Sequence, residues 1–151
     1  MFERNAPNSG ELAKAQLTLQ ELEGKLERIL VLLAERKAER LGLETHIQDA
    51  AAVGNMDRLV DLQNRAGVVE KTIAELRTAE SECTQRVESA RRYLYTLYVR
   101  LERLRQEFSG LMRRLASIDQ GESVPAEVQT SLGRIKIQLK AITGENSTGR
   151  L

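Results

Sequence analysis

Residues 59–118 read LVDLQNRAGVVEKTIAELRTAESECTQRVESARRYLYTLYVRLERLRQEFSGLMRRLASI, and this stretch decides the fold. Every third and fourth residue belongs to one series, which is apolar except at Glu80. Its members are Leu59, Leu62, Ala66, Val69, Ile73, Leu76, Glu80, Cys83, Val87, Ala90, Leu94, Leu97, Leu101, Leu104, Phe108, Leu111, Leu115 and Ile118. A 3-4 spacing held over this length predicts one long α-helix whose apolar seam is covered by other helices.

Two shorter series flank the long one and predict the helices that cover it. The first is apolar except at its two arginines and comprises Leu12, Ala15, Leu19, Leu22, Leu26, Ile29, Leu33, Arg36, Arg40, Leu43, Ile47 and Ala50. The second begins after Pro125 and comprises Val128, Leu132, Ile135, Leu139 and Ile142. Between the first two helices, Gly54 suits a left-handed C-terminal position, and Asn55 or Asp57 suits the next N-cap. So short a connection predicts an antiparallel hairpin.

These patterns together predict an all-α fold: a long antiparallel coiled-coil hairpin, with a third short helix packed back on the distal end of the long central helix. We expect helices at about 10–53, 56–119 and 125–143, forming a single elongated domain over 9–144. Folding the chain back at the turn around Gly54 places Leu12 near Leu97 and Leu26 near Cys83. Folding it back again at about residue 122 places the third helix along residues 102–118. Residues 1–8 and 145–151 are predicted to be disordered tails.

Composition narrows the function classes. Aromatic residues make up 3% of the chain, charged residues make up 30%, and the formal net charge is +1. This balance is typical of long helices, and so small a net charge creates no strong field for nucleic acid or membrane. The longest apolar run, Ile29–Ala34, is far shorter than a membrane span, and the first residues lack a signal-peptide pattern. With a single cysteine, a cytoplasmic location is expected.

Catalytic chemistry has little support in these residues. The chain has one histidine, His46, no HExxH motif and no glycine-rich phosphate loop. We therefore expect no enzyme activity, no catalytic residues, no metal site and no cofactor. Glu80 and Cys83 interrupt the seam with polar or reactive groups. We favour a structural role for them in setting helix register over a redox or metal role.

The first helix carries a second face opposite its seam, and only one of its members is charged. Leu17, Val31, Ala34, Ala38 and Leu41 are its candidate interaction residues. A helix with apolar or small residues on two opposite faces is usually buried on both. Since the long helix covers only one of them, this face predicts self-association into a homo-oligomer, a dimer or larger, over a monomer with a solvated alanine-rich face.

The charge of the chain is asymmetric in one place. Tyr93, Tyr95 and Tyr98 lie off the seam, among seven arginines: Arg91, Arg92, Arg100, Arg103, Arg105, Arg113 and Arg114. Arginine interleaved with aromatic residues is the composition of protein-binding hot spots, and it also binds phosphate and stacks on bases. A third interpretation is a solvated flank whose arginines pair with glutamates of the covering helices. Because the cluster coincides with the joint between the two covering helices, we favour a protein partner.

Three hypotheses of function result. The first is a non-catalytic coiled-coil scaffold or adaptor that self-associates and binds a protein partner, without membrane contact. The second is a nucleic-acid-binding accessory protein that uses the arginines of residues 91–114. The third is an export or secretion chaperone whose exposed seams hold an unfolded client. The size and the hairpin resemble stalk proteins of bacterial export systems, as well as cytoskeletal and phage assembly factors. That resemblance is one of shape and implies no role for any single residue.

Overall fold

The computed structural model describes residues 10–118, 121 and 123–144, and this part of the chain contains helices and no strand. The helices are α1 (Glu11–Ala52), α2 (Met56–Ala116) and α3 (Ala126–Thr143). α1 and α2 form a helical hairpin and α3 packs on the distal end of α2, which confirms the predicted fold class. α2 ends slightly before the predicted residue 119. The predicted tails, 1–8 and 145–151, lie outside the described residues.

Backbone hydrogen bonds close the turn between α1 and α2 and fix the direction in which the chain enters α2. Gly54 has the left-handed φ of 74° expected at this position. The N–H of Asn55 donates to the carbonyl of Ala50 at 3.0 Å, and that of Gly54 to the carbonyl of Ala51 at 3.2 Å. This pair of bonds is the Schellman motif. The Asn55 side chain then accepts from the N–H of Arg58 at 3.2 Å, which confirms the predicted cap of α2.

The helices form two compact units, and the first comprises Gln20–Glu88. Its core contains Leu33, Val69 and Ile73, with Leu43 and Leu76 packed against them. These are seam residues of α1 and α2, so the two series cover each other as predicted. The prediction of a single domain over 9–144 stays a prediction.

Cys83 lies at a buried position of the same unit and is a free thiol. Its Sγ is 3.5 Å from the carbonyl oxygen of Leu22, to which the thiol donates a weak hydrogen bond. Leu22 is one helical turn from Leu26, the residue that folding the chain back at the turn places near Cys83. The predicted register is therefore correct to within about one turn. Glu80, at the preceding position of the same seam, is half-buried.

The second unit comprises the start of α1, up to Leu19, and the chain from Ser89 onward. Its core is a cluster of buried seam residues from α2 and α3, against which side chains of α1 and α2 pack. The buried members are Leu101, Leu104, Ile135, Leu139 and Ile142, and the partly buried ones are Leu12, Phe108 and Leu111. Arg134 of α3 pairs with Glu107 of α2 at 3.6 Å. α3 therefore docks along the predicted stretch of α2, on its own chain.

The start of α1 meets the end of α3 beside α2. Gly10 is buried, and a Cβ atom there would collide with the carbonyl oxygen of Ile142 and the backbone nitrogen of Gly144. Gly144 ends α3 in the left-handed conformation, with φ of 75°. The two covering helices thus meet end to end, as the sequence predicts. At the other end of α3, Pro125 occupies the N-cap, one residue before the helix.

Candidate interaction surfaces

The outer face of α1 is the surface formed by Val31, Ala34, Ala38 and Leu41, within the unit Gln20–Glu88. The exposed fraction of the residue is 53% at Val31 and 63% at Leu41. Ala34 and Ala38 between them are exposed as well. α2 packs on the opposite side of α1, where Leu33 is buried. The structure therefore leaves four of the five predicted α1 residues on one uncovered face.

The apolar run Ile29–Ala34 shows why the hairpin leaves this face open. Ile29 and Leu33 point into the seam and are buried. Leu30 and Leu32 remain 45% and 43% exposed, on either side of Val31. A single partner helix covers one side of a helix only, so an apolar run without polar interruptions retains exposed side chains. The hairpin therefore does not cover every side of this run.

Charged side chains on and beside the outer face of α1 are unpaired. They are exposed, and no hydrogen bond or ion pair within residues 10–118 engages Glu27, Arg28, Glu35 or Lys37. The neighbouring Arg40 behaves differently, because its guanidinium pairs with Glu70 of α2 at 2.6 Å. The outer face and its border thus retain charges of both signs that are free to pair with another molecule.

Leu17, the fifth predicted α1 residue, belongs to the second unit and is 52% exposed. Nearby in that unit, the side-chain amide of Gln16 donates a hydrogen bond of 2.8 Å to the hydroxyl oxygen of Tyr98. Tyr98 therefore lies against α1, and its position is fixed from two helices.

Tyr93, Tyr95 and Tyr98 are exposed on α2 in the second unit, with exposed fractions of 48%, 70% and 45%. Tyr95 and Tyr98, three residues apart, share one side of the helix and form what we call the tyrosine surface, whereas Tyr93 lies on another side of α2. Beside Tyr98 lies a shallow groove of about 380 Å³, lined by Tyr98, Val99, Glu102, Arg103 and Gln106. Exposed tyrosines offer a large contact area together with a polar hydroxyl, which suits a protein interface.

Two members of the predicted arginine cluster form ion pairs with carboxylates on other helices. Arg100 pairs with Glu11 of α1 at 3.6 Å, and Arg114 pairs with Glu127 of α3 at 3.4 Å. These two contacts match the interpretation of arginines that flank the seam. The remaining members are also exposed along α2: Arg91, Arg92, Arg103, Arg105 and Arg113.

A further groove, which the sequence did not reveal, opens between α1 and α2 in the unit Gln20–Glu88. It has a volume of about 600 Å³ and is lined by Lys37, Arg40, Leu41, Glu70, Ile73, Ala74 and Arg77. The signal that could have located it is the pair Arg36 and Arg40, which replace apolar residues in the α1 seam. A long side chain that reaches out to Glu70 leaves the space beside Ile73 incompletely filled.

Candidate metal ligands do not cluster in the described part of the chain. Within it, no three His, Cys, Asp or Glu side chains are close enough together to hold a metal ion. His46 is exposed on α1. None of the described helices has the length and apolar character needed to cross a membrane.

No protein family, curated protein or solved structure matches the chain.

Proposed function

We propose that this chain is a non-catalytic coiled-coil assembly protein, a scaffold or adaptor that self-associates and binds a protein partner. The observation that carries the proposal is the outer face of α1, which is apolar and exposed although the seam on the other side of α1 is already filled. Exposed apolar patches of this kind mark sites of association in soluble proteins. Cys83, the only cysteine, is a free thiol, which suits a reducing cytoplasmic setting.

The filled seam determines which surface is available for self-association. In the unit Gln20–Glu88, Leu33, Val69 and Ile73 are buried by their own hairpin. A second chain that used the seam would first have to displace α2 from α1. The outer face requires no such displacement, and its small residues Ala34 and Ala38 allow another helix to approach closely. Association through the outer face therefore leaves the hairpin intact.

The tyrosine surface is the second part of the proposal, as the docking site for a different protein. Tyr95 is 70% exposed and Tyr98 is held in place by Gln16. A rigid, exposed aromatic side chain loses little conformational entropy on binding. Nucleic acid remains the alternative ligand, but the pairing of Arg100 and Arg114 with carboxylates reduces the positive charge offered to phosphate.

Self-association is tested by measuring the molar mass of the full chain with light scattering at micromolar concentration. The test variant is V31K/L41K, which places two charges on the outer face of α1. The matched control is V60K/V68K, because Val60 and Val68 are 53% and 67% exposed on α2. We expect the wild-type chain and the control to be dimers or larger, and the test variant to be a monomer with unchanged helicity by circular dichroism.

Two outcomes would contradict self-association through this face. The first is a wild-type chain that is monomeric over the whole micromolar range. The second is a V31K/L41K variant that keeps the wild-type mass.

The choice between protein and nucleic acid at the tyrosine surface is tested by measuring the binding of a single-stranded oligonucleotide at two salt concentrations. Binding that weakens steeply with salt would support nucleic acid, and no binding at low salt would exclude it.

A further inference from the structure

We infer that the outer face of α1 binds the same face of a second copy of this chain, antiparallel, with the two-fold axis between residues 32 and 33. This inference rests on the proposed self-association and specifies its partner, polarity and register. An isologous dimer requires a surface that is complementary to itself, so each residue and its counterpart must suit each other. The outer face and its border satisfy this requirement in shape and in charge.

The shape complementarity comes from large residues that face small ones. An axis between residues 32 and 33 brings Val31 level with Ala34 of the second copy, and Leu41 level with the second copy's Gly24. Val31 and Leu41 are the two bulky exposed residues of the face. A Cβ atom added at Gly24 would meet only the guanidinium of Arg28, at 3.6 Å, so the end of one flexible side chain lies beside Gly24 and must turn aside for an incoming side chain. Each pair occurs twice because of the symmetry.

The charge complementarity comes from the unpaired side chains on and beside the face. In the same register, Arg28 lies level with Lys37 of the second copy, which flanks the other side of the face. Glu35 of the second copy is two residues from that level and on the same side as Arg28, within reach of a long side chain. Glu27 belongs to the face itself, level with Ala38 of the second copy and next to its Lys37. The contacts of Arg28 with Glu35 and of Glu27 with Lys37 each join opposite charges, and each occurs twice. All four side chains are exposed and have no partner within residues 10–118. The dimer would therefore gain four ion pairs without breaking any in the monomer.

Other arrangements of the same two faces are less complementary. An axis at residue 36 makes Glu35 level with Lys37 of the second copy, but the two flank opposite sides of the face. Because an antiparallel two-fold brings like sides of the two faces together, Glu35 then meets Glu35 and Lys37 meets Lys37, which are repulsive contacts. A parallel pair places Glu27 against Glu27 within the apolar interface. An axis between residues 39 and 40 avoids both problems, but it sets Val31 against Gln48 and so loses apolar contact. The axis between residues 32 and 33 combines apolar contact at Val31 and Leu41 with opposite charges beside them.

Disulfide cross-linking of the full-length chain tests the polarity and the register. A chain carrying Gly24→Cys and a mass tag is mixed with an untagged Leu41→Cys chain and oxidised. We expect a disulfide between the tagged and the untagged chain, and none when either variant is oxidised alone, because residues 24 and 41 are about 25 Å apart along the helix. The wild-type chain is the background control, since its Cys83 is buried.

Charge exchange tests the ion pairs independently. Arg28→Glu and Glu35→Arg are each expected to weaken the dimer about tenfold, because each creates two like-charge contacts. The double variant R28E/E35R should recover to within about threefold of the wild-type dissociation constant. Lys71→Glu on the exposed side of α2 is the control for charge reversal, and it should leave the dissociation constant unchanged.

The outcomes separate this inference from the proposed function. Cross-linking of Leu41→Cys with itself would show a parallel pair, and cross-linking of Leu41→Cys with Ala38→Cys would show the axis between residues 39 and 40. Either result overturns the inference while self-association stands. A dimeric wild-type chain without the expected disulfide, or without recovery in R28E/E35R, overturns it as well. A monomeric wild-type chain would refute the proposed self-association itself.

Discussion

Replacement of Leu139 by alanine tests whether α3 is held by its contacts with α2. Leu139 is 1% exposed and belongs to the cluster that contains Leu101 and Ile135. The substitution removes the equivalent of three methylene groups, which at about 0.8 kcal/mol each amounts to about 2.4 kcal/mol. The cavity left behind raises the loss in free energy of unfolding to about 3 kcal/mol. Since α3 has only 18 residues, it is expected to be marginal without these contacts.

The assay is urea unfolding followed by circular dichroism, with hydrogen exchange of the α3 amides as a local measure. Ile137→Ala is the matched control, because Ile137 lies on the same helix but is 72% exposed. Its effect on the free energy of unfolding should stay within about 0.5 kcal/mol. The α3 amides should lose protection in Leu139→Ala and retain it in the control. Equal losses for the two variants, or full protection of α3 in Leu139→Ala, would refute the proposed docking of α3.

Three glycines provide further predictions, each measured as a change in the free energy of unfolding. Gly54→Ala should destabilise the chain by about 1 kcal/mol, because the left-handed φ of 74° is unfavourable for alanine. Gly42→Ala should stabilise it by up to about 1 kcal/mol, because Gly42 lies inside α1 and an added Cβ meets nothing within 4 Å. Gly10→Ala should destabilise it by about 1–3 kcal/mol, because the methyl group would collide with the carbonyl of Ile142. A change of opposite sign at any of the three positions would contradict the local geometry described for it.

The sequence predicted most of the fold because its apolar residues keep a single period over very long stretches. The series from Leu59 to Ile118 left few alternatives to a long covered helix, and Gly54 with Asn55 marked the turn. The end of α2 was less predictable. The seam continues to Ile118, but α2 ends at Ala116, where the hydroxyl of Ser117 donates to the carbonyl of Arg114 at 2.8 Å. Local side-chain bonds of this kind compete with helix continuation and leave no periodic signal.

The candidate surfaces were predictable in position but not in detail. The helical period alone located Val31 and Leu41 opposite the seam, and the structure shows both of them exposed. Which arginines are paired could not be read from the sequence, because Arg100 and Arg114 find their carboxylates on different helices. The groove beside Arg40 was missed for the same reason, since the direction taken by a long side chain depends on a carboxylate that is distant in sequence.

The most direct test of self-association through the outer face of α1 is the molar mass of the full chain by sedimentation equilibrium. The wild-type chain should have at least twice the 17.0 kDa of one chain, and V31K/L41K should return to 17.0 kDa with unchanged helicity. A wild-type chain that remains at 17.0 kDa throughout the micromolar range would contradict the proposal.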